Sequence, residues 1–199
     1  MNDQRKQTSI KYFAKIIYIN FTQHVSLLFI SAGLASCTFG TVIDRPSYAD
    51  FPYGLKTPSD LFSRYGKTEP NESTAINGEN ITEYCYRSTS LFVNLQQGGS
   101  SSTCFRFTDK DLVGVIFTSS RAINVTKLAF EELSKISIGM TKSDVTMTLG
   151  QPHGVLRYPY LADRNQIAFL YRDFVDKNTA QVIFDEEEKV TAVHYDSHL

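Results

Sequence analysis

The sequence predicts an α+β protein of two tandem ααβββ-like units, each with short helices packed on a three-stranded antiparallel sheet. Three observations carry this expectation. A ten-residue helical motif occurs twice, from Thr57 to Gly66 and from Thr141 to Gly150. Strand-like runs follow both copies in the same order. Tyr and Phe number 11 and 14 in a chain without Trp, and aromatic side chains favour the half-buried surface of a strand. The 199 residues are 42% hydrophobic and 21% charged, as in an ordinary globular chain. A net charge of −1 supplies no basic face, so nucleic-acid binding is not expected.

Residues 1–36 read as a lipoprotein signal peptide. Arg5, Lys6, Lys11 and Lys15 form a basic leader, and an apolar run densest from Val25 to Ala35 follows, which is a secretory layout. Its clean apolar core is shorter than the roughly 20 residues of a spanning helix. Leu34-Ala35-Ser36-Cys37 is similar to the lipobox of bacterial lipoprotein precursors. That resemblance implies transfer of diacylglycerol to the Cys37 thiol, cleavage before it, and acylation of the new amino terminus. The other reading is a plain signal peptide or membrane anchor with an incidental cysteine. Thr38 in place of Asp, by resemblance to enteric sorting, favours the outer membrane, with the body tethered at its periplasmic face. Residues 37–46 would then be the lipidated terminus and linker. A first, irregular unit is expected at 47–120 and a second at 121–199.

The two helical motifs share the pattern Thr-x-Ser-Asp-[Leu/Val]-x-x-x-[Tyr/Leu]-Gly. Thr57 and Thr141 suit the N-cap, and Asp60 and Asp144, three residues on, suit a reciprocal capping box and the positive end of the helix dipole. Leu61 with Tyr65, and Val145 with Leu149, share one face. Gly66 and Gly150 end each helix in the left-handed region. Helices of about two turns cannot stand alone, so each must pack on a sheet.

The first copy is followed by strands at Thr82–Leu95, Thr103–Phe107 and Asp111–Phe117, the second by Gln166–Arg172, Thr179–Phe184 and Lys189–Tyr195. A further helix is expected at Thr126–Lys135, whose counterpart before the first motif is interrupted by Pro46 and Pro52. The Gln96–Ser102 stretch contains Gly98-Gly99, a turn signal that could set Cys85 opposite Cys104 across a hairpin. An oxidising compartment would keep such a disulfide; two buried free thiols are the alternative. Half the aromatic residues of an alternating strand face the core, and the remainder could form a binding surface. Tyr84, Tyr86, Phe169 and Tyr171 are the candidates for a surface shared by two sheets lying side by side.

The run Ile138-Gly-Met-Thr-Lys-Ser-Asp-Val-Thr-Met-Thr-Leu-Gly-Gln-Pro152 resembles the helical signature of the SmpA/OmlA family, the small outer-membrane lipoproteins also called BamE. The resemblance implies two helices on a three-stranded antiparallel sheet and a role supporting the machine that inserts β-barrels into the outer membrane. The tandem arrangement resembles the beta-lactamase inhibitor protein fold, built from two such units. The expectation is therefore a non-enzymatic envelope lipoprotein that binds another envelope protein, barrel-assembly components among the partners the resemblance implies. The alternatives are a small-ligand-binding protein or enzyme of unknown chemistry, and a structural or peptidoglycan-associated lipoprotein. No residues are assigned to catalysis, a metal or a cofactor: His153, His194 and His198, Asp163, Asp173 and Asp176, and Ser119-Ser120 carry no recognisable motif.

Overall fold

The computed structural model describes residues 38–39, 43, 45–90, 99–120, 130–173 and 178–196. Two of the connections that shape it are short. Asn77-Gly78, at φ 49° and 79°, links Ile76 to its cross-strand partner Glu79 in the two-residue hairpin that this dipeptide favours. It joins β2 (Pro70–Ile76) to β3 (Glu79–Ser90). Asp109-Lys110-Asp111 turns β4 (Gly99–Phe107) into β5 (Leu112–Ser119). The antiparallel order then continues through β6 (Gly154–Arg157), β7 (Ile167–Arg172), β8 (Thr179–Phe184) and β9 (Val190–Asp196). A two-residue β1, Thr38–Phe39, pairs with the far end of β3.

This single sheet overturns the expectation of two ααβββ units, and the fold is mainly β. The reason lies in β5, where every residue from Leu112 to Phe117 is buried. A strand apolar on both sides sits inside a sheet, where two neighbours satisfy its backbone groups. Gly154-Val155-Leu156-Arg157, too short to stand out in the sequence, supplies the second neighbour. The seam is built on glycine. A Cβ on Gly154 would lie 2.9 Å from the Val115 carbonyl oxygen, and one on Gly114 would lie 2.8 Å from Leu156 Cδ2. The repeat persists in another form: among the described residues, each copy is one short helix followed by four strands.

Among the described residues the helices are α1 (Pro58–Tyr65), α2 (Phe130–Leu133) and α3 (Lys142–Leu149). Only the Phe130–Leu133 part of the expected Thr126–Lys135 helix lies within a described helix, residues 126–129 being outside the described set. Leu61 of α1 and Val145 and Leu149 of α3 pack on Tyr86, Phe105, Val155, Phe169, Tyr171 and Phe184 to form the main core. The opposite sheet face has two smaller apolar clusters. The β6–β7 connection covers them, with Tyr160 against Ile116, Leu156 and Leu170, and Leu161 beside Ala168 and Ile183.

Candidate functional site

The capping motifs position both helices. Asp60 Oδ2 accepts from the Thr57 backbone N–H at 2.8 Å, and Asp144 Oδ2 from that of Thr141 at 2.9 Å; each Thr hydroxyl accepts from its Asp N–H in return. Hydrogen bonds from Thr57 and Lys56 backbone groups hold the Asp60 carboxyl below its ordinary value, and those from the Thr141 hydroxyl and amide do so for Asp144. Gly66 and Gly150 follow the helices at φ 87° and 78°, which a Cβ disfavours. A tyrosine then latches each helix end to the sheet: Tyr86 OH donates to the Gly66 carbonyl, and Tyr171 OH to the Gly150 carbonyl at 3.2 Å.

The four aromatic residues expected to offer a surface therefore belong to the packed face, a correction to the sequence reading. Tyr86, Phe169 and Tyr171 are buried, and Tyr84 is half-buried between Phe62 and Phe107. Residues two apart in a strand share a face, so Tyr84 and Tyr86 go the same way, as do Phe169 and Tyr171. The helices cover that side.

Cys85 and Cys104 are opposite each other in the β3–β4 register and form a disulfide, with Cα atoms 4.1 Å apart. Glu83 lies close enough to complete a possible metal-ligand group with them, but the disulfide uses both sulfurs. Cys37 is outside the described residues, as are Asp176 and His198.

A groove of about 530 Å³ opens on the helix-covered side. One wall is the segment Ser47–Phe51, which contains a 3₁₀ turn at Tyr48–Asp50. The other is α3, through Lys142, Ser143, Thr146 and Met147, and the floor is Val155, Ile167 and Phe169. Tyr48 fixes the first wall by donating from its hydroxyl to the His153 carbonyl at 2.9 Å. Arg45, just before it, donates Nε to the Pro152 carbonyl at 3.0 Å and Nη2 to that of Gln151. Arg157 stacks over Phe51 at 5.5 Å. A Lys142–Glu188 ion pair of 3.0 Å crosses the rim. Beside it Met147 is 75% exposed. An apolar floor with a few polar rim groups suits binding.

His153 is buried next to this groove, and its chemistry is structural. Its Nδ1 accepts the Arg172 N–H at 3.1 Å, so the proton of the neutral ring is on Nε2. Burial, reinforced by Arg45 and Arg172, pushes its pKa down to about 4. Neither nitrogen is then available to take a proton from a nucleophile. His194 is exposed on β9, and Asp163 accepts the Asn165 N–H in a turn. Sequence reading missed the groove because its wall at Ser47–Phe51 precedes the repeat and its floor comes from β6 and β7.

No family model matches the chain, and no curated protein does; the SmpA/OmlA resemblance of Ile138–Pro152 has no counterpart in these comparisons. Among solved structures the chain shows a weak likeness of fold to a Streptococcus mutans protein described as a "putative beta-lactamase inhibitor protein". The two are 12% identical with a TM-score of 0.39, over 78% of this chain and 89% of that one.

Proposed function

We propose that the chain is a non-enzymatic lipoprotein, anchored through Cys37 at the periplasmic face of the outer membrane, that binds another envelope protein. The observation that carries the binding role is the groove between Ser47–Phe51 and α3, whose apolar floor is open beside the exposed Met147. A thioether side chain at such a rim adapts to varied apolar partners. The Cys85–Cys104 disulfide supports an oxidising compartment. The lipobox-like Leu34–Cys37 stretch supplies the anchor. Barrel-assembly components are the partners to look for first, because the Ile138–Pro152 run resembles lipoproteins of that machine.

The test is crosslinking and pull-down from detergent-solubilised outer membranes with the wild type and Met147→Glu. An exposed substitution of this kind changes stability by about 0.5 kcal/mol or less, so Tm should hold. The groove reading requires that the variant lose the captured protein. Capture of the same partner by both proteins would overturn it. A volume of about 530 Å³ also suits a small apolar ligand; recovery of a bound small molecule by mass spectrometry, with no protein partner, would establish that reading instead.

A further inference from the structure

We propose that the sheet stands upright on the membrane, with the end where β3 stops and β4 begins lying against phospholipid headgroups and the acidic turns pointing away. This rests on the lipid-anchor reading of Cys37. Thr38 pairs with Ser90 and Phe39 with Thr89, and Cys37 is joined to Thr38 by a peptide bond that keeps their Cα atoms about 3.8 Å apart. Thr38, the residue that follows the anchor in the chain, therefore sits at the rim of the sheet. Further along the arm, Arg45 stays at the same end. Arg45 is held by the carbonyls of Gln151 and Pro152, and the following His153 pairs by its N–H with Leu170, towards the end of β7.

The two ends of the sheet differ in chemistry. Near the anchor, a shallow cleft of about 380 Å³ is lined by Arg87, Thr89, Ser100, Ser102, Thr118 and Ser120, together with their strand neighbours Ser101 and Ser119. It contains hydroxyls and a guanidinium but no carboxylate. Phosphodiester and ester oxygens accept hydrogen bonds from both kinds of group. The far end carries Asp109 and Asp111 around Lys110 in the β4–β5 turn, and Asp185, Glu186, Glu187 and Glu188 before Lys189 in the β8–β9 turn, six carboxylates against two lysines. The anchor end of β9, by contrast, carries Asp196. An anionic lipid surface repels these turns within a Debye length. The eight residues of β5 separate the two ends by about 25 Å. Anchor position and charge thus favour the same orientation.

The experiment uses protein isolated from membranes and reconstituted in vesicles of phosphatidylethanolamine and phosphatidylglycerol containing a headgroup acceptor dye. A donor dye is attached through p-azidophenylalanine placed at Ser120 or at Lys110, which leaves the disulfide intact. Energy transfer to lipid should be about twofold or more stronger from position 120 than from 110. Lipidated protein with equal transfer from both positions, or stronger transfer from 110, overturns the orientation alone. Crosslinking that places another protein over position 120, with weak transfer to lipid, also overturns it. Intact mass separates the remaining case: an unmodified Cys37 overturns the anchor reading and the proposal together.

Discussion

Tyr86 and Tyr171 show how one residue type serves two demands. Each ring fills the core, and each hydroxyl reaches the carbonyl of the glycine that ends a helix, Gly66 or Gly150. Removing only the hydroxyl separates the two contributions. Tyr86→Phe and Tyr171→Phe should each lose about 1 kcal/mol in urea unfolding, and the losses should add because the tyrosines latch different helices. His153 adds a dependence on pH. Its folded-state pKa of about 4 lies below the ordinary 6.5, so between those values the unfolded chain binds the proton first. Its contribution is present above pH 6.5 and is lost as pH falls towards 4. In His153→Gln, the fall in urea midpoint between pH 7 and pH 4.5 should be smaller than in the wild type; an unchanged fall would assign the acid sensitivity to other groups.

At the scale of elements, the seam between β5 and β6 decides whether the repeat makes two sheets or one. Its two glycines differ in what an added methyl would meet. At Gly154 the obstacle is the Val115 backbone oxygen, whereas at Gly114 it is the end of the Leu156 side chain, which can turn aside. Gly154→Ala should therefore lower Tm by more than Gly114→Ala, as calorimetry would show; equal effects would mean that the seam gives way equally at both places. The capping residues were legible because Thr57–Asp60 and Thr141–Asp144 are local pairs with fixed spacing. The Asn77-Gly78 hairpin signal was equally local but went unread, and β2 was lost with it. The orientation of Tyr84 and Phe169 was not legible. Alternation shows which residues share a face but not which face the helices will cover, and that is fixed by contacts with Leu61 and Val145 far along the chain. The uninterrupted Leu112–Phe117 run did carry a signal for an interior strand. Its partner, the four-residue β6, had too few residues to show a period.

At the scale of the whole molecule, the two copies share a hydrogen-bonded sheet and one main core. That core joins Tyr86 and Phe105 of the first copy to Phe169, Tyr171 and Phe184 of the second. The N-terminal arm reinforces the union: Thr38 and Phe39 pair with β3, while Arg45 and Tyr48 bind carbonyls at Gln151, Pro152 and His153 beside β6. Opening either copy would expose one edge of β5 or β6 and the apolar surface of the other copy. Thr38–Leu199, which forms one compact unit, should therefore unfold in one cooperative step, despite its internal repeat. Far-UV circular dichroism and tyrosine fluorescence should report the same midpoint in urea. Phe105→Ala in the first copy and Val182→Ala in the second remove buried side chains, at a cost of about 3–5 kcal/mol for the phenylalanine and less for the smaller valine. Both variants should shift that one midpoint for both probes. If Phe105→Ala instead splits the curve, leaving a second transition at the wild-type midpoint, the copies fold independently and the shared sheet does not couple them.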